Sequence, residues 1–165
     1  MSKERRLEKK LSSYAEGLSA VARKRYVDKI DLLNGYDPLL GVPAGSKFVV
    51  PSVDSCDLVS YLVLENSFVT AKQFKARKGQ EACNQFVSGW VKDVKSFVCG
   101  TKHVTLSRVR HSQRFSDTPL HTWIITSPPG EVCCAHCNCL AGLGETCTHV
   151  AATLFYLEAA ARMAE

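Results

Sequence analysis

Apolar residues in the first fifth of the chain recur with the period of an α-helix. Over residues 3–33 they stand three or four positions apart for most of the segment, which places them along one side of a helix. The set consists of Leu7, Leu11, Tyr14, Leu18, Val21, Tyr26, Ile30 and Leu33. Gly17 weakens the middle of the segment and Asn34-Gly35 ends it, so we expect two helices.

The next part of the chain predicts short elements joined by turns. Prolines and glycines punctuate residues 34–55, which we interpret as a connector with a short strand at 47–50. A helix at 56–64 should follow, capped by Asp54 or Ser55. Its inward residues are expected to be Leu58, Val59, Leu62 and Val63, with Cys56 also packed.

A second helical segment is predicted at 70–90, with an interruption at Gly79. Its expected apolar set is Phe74, Cys83, Phe86 and Val87. Cys83 is a lone cysteine on an apolar stripe, so we expect it to be a core thiol.

From residue 90 the pattern shifts toward alternation, which predicts strands. The expected strands are 90–98, 103–111, 121–127 and 132–136. In the second strand Val104, Leu106 and Arg108 share one parity, so a bulge or twist is required if Val109 is also buried. Residues 148–162 then predict a helix that packs across the sheet through its apolar stripe, formed by Val150, Leu154, Leu157 and Ala161.

The amino-acid composition indicates what kind of protein this is and where in the cell it is expected. The chain has 165 residues, 45% of them hydrophobic, which is enough for a core of its own. The first residues carry charges with no apolar run behind them, and no apolar stretch is long enough to span a membrane, so we expect neither a signal peptide nor a membrane partner. The expected location is the nucleus or cytoplasm, with the nucleus favoured, where the eight cysteines would be thiols or metal ligands.

Charge is concentrated in one segment. The whole chain carries +5, but residues 72–114 hold ten lysines and arginines against two acidic residues. Such a segment is either a nucleic-acid-binding surface or an ordinary solvated face. The candidates for DNA or RNA contact are Lys92, Lys95, Arg108, Arg110 and Arg114, and the question is whether they share one face.

The most closely spaced potential metal ligands lie near the end of the chain. Cys137-Asn138-Cys139 and Cys147-Thr148-His149 form a Cys-x-Cys and a Cys-x-His pair separated by residues 140–146. Three thiolates and one imidazole are a common structural zinc set, so we expect one Zn²⁺ held by Cys137, Cys139, Cys147 and His149. Two alternatives remain: the four are ordinary buried residues, or Cys134 replaces one of them, because Cys134-x-x-Cys137 also has ligand spacing.

The sequence does not favour an enzyme. Four protein ligands fill a tetrahedral shell and leave no open position for a catalytic water. Glu145 lies between the pairs, but neither His-Glu-x-x-His nor a Gly-x-x-x-x-Gly-Lys phosphate loop is present in the sequence. We therefore expect no catalytic residues and no small-molecule substrate.

The Cys-x-Cys and Cys-x-His pairs followed by an apolar helix resemble the SWIM-type zinc finger. The wider run from Ala135 to Ala152 is similar to an uncharacterised branch often joined to a phage-recombinase-like (YqaJ-type) nuclease. The predicted elements give an α+β fold in which N-terminal helices precede a small antiparallel sheet and a C-terminal helix, and the resemblance implies that this sheet and helix surround the zinc. The connector predicts a division into two parts: a helical segment and connector at 1–50, and a helix plus SWIM-type domain at 51–165 with its core at about 120–160.

Two functions remain open at this point. The chain is either a zinc-binding module that binds nucleic acid through its Lys/Arg-rich surface, or a non-enzymatic adaptor for another protein. The family occurs in chromatin and mobile-element proteins, which implies either partner. The sequence is equally compatible with a whole protein and with a fragment of a longer one.

Overall fold

A four-stranded antiparallel sheet with helices on both sides forms the centre of the structure. The computed structural model describes residues 10–64, 79–110, 119–139 and 147–164. The predicted α+β class is confirmed. None of the described helices is long and apolar enough to cross a membrane.

The strands follow one another in space as they do in sequence. They are β1 (Val91–Cys99), β2 (Lys102–Val109), β3 (Leu120–Ser127) and β4 (Glu131–Cys137), in the order β1-β2-β3-β4. Each strand agrees with its predicted position to within two residues at either end. A tight turn joins β1 to β2 at Gly100, whose φ of 61° suits glycine.

The helices are short except for the last one. They are α1 (Ser13–Glu16), α2 (Ala20–Ile30), α3 (Ser55–Val59), α4 (Gly79–Val87) and α5 (Thr148–Met163), with 3₁₀ turns at Asp31–Leu33 and Pro38–Leu40. Helix α3 continues as a π-helical turn over Ser60–Leu64. Asp54 caps α3 in a reciprocal capping box with Asp57, as the sequence predicted for one of its two candidates.

One face of the sheet packs against α5 and α3, and α4 packs against α5. Val150, Leu154 and Leu157 of α5 are at most 1% exposed and lie against Val109 and Ile124 of the sheet. The predicted packing of the last helix across the sheet is therefore confirmed.

The opposite face packs against the N-terminal helices. Tyr26, Ile30 and Leu33 lie against Phe97, Val104, Trp123 and Ile125. This two-sided burial explains why both Val104 and Val109 are 0% exposed without a bulge in β2, because each faces a different core. The predicted irregularity in β2 was wrong; the register shift lies in β1, between Lys92 and Lys95.

Some apolar residues that were predicted to lie on the buried side of their helices point outward instead. Val21, Val59 and Val87 are 83%, 47% and 75% exposed. The separation at Gly17 lets α2 adopt its own phase, with Ala22 and Tyr26 inside. Helices α3 and α4 are too short for their sequence pattern to fix which side is buried.

Two cysteines and the connector also differ from prediction. Cys56 and Cys83, expected to pack inside, are exposed, because the buried positions of their helices belong to Leu58 and Ala82. Residues 47–50 form no strand, although Val49 N–H donates a hydrogen bond to the Ser96 carbonyl at 3.2 Å. Phe74 lies outside the described residues.

A buried carboxylate ties the N-terminal segment together. Asp37 is 0% exposed and accepts hydrogen bonds from Ser12 N and Oγ (2.9 and 2.7 Å), the Tyr26 hydroxyl (2.5 Å) and Leu39 N (3.0 Å). Trp123 Nε1 of β3 donates to the same Tyr26 oxygen at 3.2 Å. Burial, followed by the contact with Asp37, raises the pKa of Tyr26. The Tyr26 hydroxyl therefore remains a hydrogen-bond donor. A continuous series of hydrogen bonds runs from Ser12 through Asp37 and Tyr26 to Trp123 of the sheet.

We predict that Asp37→Ala lowers the free energy of unfolding by about 2–4 kcal/mol, because the buried donors on Ser12 and Tyr26 lose their hydrogen-bond acceptor. Urea denaturation followed by circular dichroism measures the change. Asp28→Ala, at an exposed position of α2, is the matched control and should change stability by less than about 0.5 kcal/mol. Equal effects of the two substitutions would contradict the role given to Asp37.

Candidate metal centre

The Cys-x-Cys pair lies where the edge strand of the sheet ends. Cys137 is the last residue of β4, opposite Thr122 of β3, and Cys139 follows two residues later. The Cys-x-His pair lies at the start of α5, where Cys147 is the N-cap and His149 belongs to the first turn. An edge strand and a helix start therefore bring the two pairs together.

The four side chains converge on one centre. The ligand atoms of Cys137, Cys139, Cys147 and His149 all lie within 4.8 Å of one another. A tetrahedron with metal–sulfur bonds of about 2.3 Å has edges of about 3.8 Å, so small adjustments bring all four onto one ion. Cys137, Cys147 and His149 are buried and Cys139 is partly buried. The group could hold one metal ion.

Asn138, between the two cysteines, fixes the orientation of the first pair. Its side-chain oxygen accepts a hydrogen bond from His121 N at 2.9 Å, and its own N–H donates to the His121 carbonyl at 3.3 Å. These bonds continue the β3–β4 pairing past the end of β4. The backbone that carries Cys137 and Cys139 is thus attached to β3 at residues 137 and 138.

The second pair is fixed through the first turns of α5. An N-cap is usually a side chain that accepts a bond from the helix, but Cys147 makes no such cap bond, consistent with its sulfur belonging to the cluster. One turn later Thr153 Oγ1 donates to the His149 carbonyl at 3.0 Å and lies 2.9 Å from Ser107 Oγ of β2. Ser107 therefore anchors the helix turn that carries His149 to the sheet.

The four side chains of the cluster strongly perturb one another's pKa values. Hydrogen bonds from Cys137 and Cys147 hold the pKa of Cys139 well below its ordinary value, despite its burial. The same contacts raise the pKa of Cys137, which keeps its proton. Burial lowers the pKa of His149, but its hydrogen bonds with Cys139 and Cys147 outweigh burial and raise that pKa to about 9. A metal ion bound here would displace these shared protons, because it is ligated by thiolates and by a neutral imidazole.

A polar group missed by the sequence analysis lies beside the metal cluster. His136, 1% exposed, contacts Lys29 Nζ through Nδ1 and the Tyr14 hydroxyl through Nε2, each at 2.9 Å. Lys29 also donates to the Ala135 carbonyl at 3.0 Å. Because an ammonium only donates, Nδ1 is the acceptor and the ring proton lies on Nε2. The strand that delivers Cys137 is therefore bound directly to α1 and α2.

The alternative ligand Cys134 is on the wrong side of the sheet. It pairs with Ile125 and packs in the core formed with the N-terminal helices, whereas Cys137 packs in the core under α5. Cys134 does not belong to the four-residue cluster among the residues the structure describes. Gly142, Gly144 and Glu145 lie outside those residues.

Four of the five predicted nucleic-acid contacts lie on one face of the sheet. Lys92 pairs with Arg108 and Lys95 pairs with Leu106, and residues directly opposite each other share a face. Arg110 has the parity of Arg108, and its N–H donates to the Trp90 carbonyl at 3.1 Å. Arg114 lies outside the described residues.

The irregularity in β1 makes this alignment possible. Residues three apart in a regular strand point to opposite faces, but β1 has one extra residue between Lys92 and Lys95. Asp93, in the bulge, has a φ of 52°. Lys92 and Lys95 consequently point to one face, while Val91 and Val94 pack on the other.

Two adjoining cavities lie along this basic face. One, of about 390 Å³, is bounded by the 3₁₀ turn at Pro38 and by Lys95, Arg108 and His121. The other, of about 400 Å³, is bounded by the turn at Ser88–Trp90 and by Lys92, Arg108 and Arg110. Burial, and then Arg108, lower the pKa of His121. Asp93 lines both cavities and lies 3.8 Å from Arg108.

The comparisons with known proteins add no relative. No protein-family model, no curated protein and no solved structure matches the chain. Its class is therefore defined by its own structure: an α+β protein with a buried Cys₃His group that could hold one metal ion.

We predict one metal ion per chain in the purified protein and its loss in Cys147→Ser. Structural sites of this type contribute on the order of 10 kcal/mol to folding, so the variant should also lose its cooperative melt. Elemental analysis and thermal denaturation measure both effects. Cys56→Ser, at an exposed cysteine outside the cluster, should keep the metal and the melt. A metal-bound Cys147→Ser with a native melt would exclude the assignment.

We further predict that Asn138→Ala weakens metal binding by about 10- to 100-fold, the usual effect of losing a residue that orients metal ligands. The fold should remain, since Asn138 contributes no buried apolar surface. Competition with a chromophoric chelator measures the affinity. Asn84→Ala, at an exposed position of α4, provides the control. Unchanged affinity in Asn138→Ala would show that the hydrogen bond from His121 N–H to the Asn138 side chain does not orient the cysteines.

Proposed function

We propose that this protein is a SWIM-type zinc module that binds nucleic acid through its basic face. Three thiolates and an imidazole at tetrahedral spacing suit zinc better than the oxygen-preferring cations. Four protein ligands complete the coordination shell, so the zinc is structural and the module is not an enzyme. The arrangement also matches the SWIM resemblance, with Cys-x-Cys after a strand and Cys-x-His at a helix start.

One observation carries the nucleic-acid proposal: four basic side chains lie on the same face of the sheet, those of Lys92, Lys95, Arg108 and Arg110. Arg108 and Arg110 lie in and just after β2, and the bulge in β1 places both Lys92 and Lys95 on the same face as these two arginines. Four exposed cations on one face suit a phosphate backbone.

The position of the N-terminal helices supports the same interpretation. They cover the half of this face that contains Phe97, Trp123 and Ile125 and leave the cationic half accessible. Asp93 is the one acidic residue among the described residues that line the two cavities, and Arg108 lies close enough to pair with it. The accessible part of the face therefore keeps a positive balance.

The metal centre and the basic face share a residue. His121 lies opposite Arg108 on β3 and borders one of the two cavities. Its backbone also holds Asn138, between two of the metal ligands. Zinc in this module would accordingly fix the end of β3 on which the basic face depends, which is a structural role suited to a binding protein.

We predict salt-sensitive binding of nucleic acid. Each phosphate contact releases counterions, so a charge-to-alanine substitution at Lys92, Lys95 or Arg108 should reduce the slope of log affinity against log salt by about 0.7–0.9. Fluorescence anisotropy with labelled oligonucleotides at several salt concentrations measures the slope. Lys24→Ala, on the exposed side of α2, should leave it unchanged.

A zinc-loaded protein that binds no oligonucleotide at low salt would overturn this proposal. It would instead favour the adaptor, in which the zinc shapes a surface for another protein. Equal effects of Lys24→Ala and Lys92→Ala would indicate binding by general positive charge and would also contradict the assigned face.

A further inference from the structure

A large aromatic side chain at the rim of the basic face belongs to neither core. Trp90 is partly exposed and is absent from both described core clusters, while Trp123, the second tryptophan of the chain, is 0% exposed. Trp90 lines the cavity of about 400 Å³ together with Gly89, Pro119 and three cations. This volume is within the range of small-ligand sites, about 300–1,000 Å³.

The backbone holds Trp90 in place from two directions. Helix α4 ends in a Schellman arrangement, in which Trp90 N–H donates to the Gln85 carbonyl and Gly89 N–H to the Phe86 carbonyl, both at 3.0 Å. Gly89 has the positive φ, 74°, that this ending requires. On the other side the Trp90 carbonyl accepts from Arg110 N–H. The backbone that carries the ring is therefore fixed before any ligand arrives.

A guanidinium accompanies the ring. The Cζ atom of Arg110 lies 5.7 Å from the centroid of the Trp90 ring, within cation–π range. Indole rings and guanidinium planes are the two surfaces on which proteins stack nucleobases. Lys92 and Arg108 border the same cavity and are placed to contact phosphates on either side of a stacked base.

We propose that the cavity bounded by Trp90, Arg110, Lys92 and Arg108 is a base-stacking site for single-stranded nucleic acid. This inference rests on the proposed function and specifies its ligand. In a duplex the faces of each base are covered by the neighbouring base pairs, and only an unpaired base can offer a face to Trp90. Among the described residues that line this cavity, none distinguishes deoxyribose from ribose.

Trp90 provides its own signal for the test. Anisotropy titrations use a short oligothymidylate, an oligouridylate and a duplex of the same length. Stacking should quench the fluorescence of Trp90 and leave buried Trp123 unaffected. Trp90→Leu should weaken single-strand binding by about 5- to 100-fold, the usual effect of removing a stacked aromatic residue. Trp90→Phe should keep most of the affinity and abolish the quenching. Circular dichroism verifies that both variants fold.

The possible outcomes separate this inference from the proposed function. Tighter binding of either single strand than of the duplex, with the Trp90 effects, supports the inference, and the two single strands identify whether DNA, RNA or both are bound. Duplex binding as tight as single-strand binding, or Trp90→Leu equal to the unsubstituted protein, overturns the stacking site while leaving phosphate binding intact. Failure of all three probes at low salt overturns the proposed function and the stacking site with it.

Discussion

Strands β3 and β4 have helices on both sides, so most of their side chains are shielded from water. Their residues pack alternately into the core under α5 and the core under the N-terminal helices. A sheet buried in this way must find internal partners for its polar side chains, because an unpaired polar group in such a place is costly. The positions of the metal cluster, the polar network and the basic face all follow from which parts of the sheet the helices cover.

The polar network beside β4 shows how this constraint is met. Lys29 is 3% exposed and reaches His136 and the Ala135 carbonyl, while Tyr14 takes the other ring nitrogen of His136. Trp123 stacks on His136 at 5.5 Å between ring centroids, and Tyr26 meets both rings edge-on. Such directional contacts fix the angle of α2 on the sheet more narrowly than apolar packing alone would. The N-terminal helices are therefore integrated with the strand that ends at the cysteines.

Sequence analysis succeeded where the determining interactions are local. The four strands, the last helix, the Asp54 cap and the class of the fold were predicted from patterns a few residues long. The candidate ligands fall within thirteen positions, so spacing alone indicated that they meet, and the structure brings them together. The predictions that failed depended on contacts with residues distant in sequence. They concerned the side of α2 occupied by Val21, the exposure of Cys56 and Cys83, and the two-sided burial of β2. Lys29 and His136 are 107 positions apart, and no local pattern connects them. Asn138 and Trp90 could have been singled out, the first by its place between two cysteines and the second as a large aromatic residue beside a basic segment.

The bulge in β1 also has a consequence for folding. It divides the strand into two halves, each of which could in principle pair with β2 in a register shifted by one position. A shift of the first half would turn Lys92 toward α5 and Val91 toward water. Burying an ammonium group among apolar side chains is strongly unfavourable, so the mispaired sheet would not gain a stable core. The lysines of the basic face thus also disfavour the shifted register, because only the native register keeps their ammonium groups in solvent.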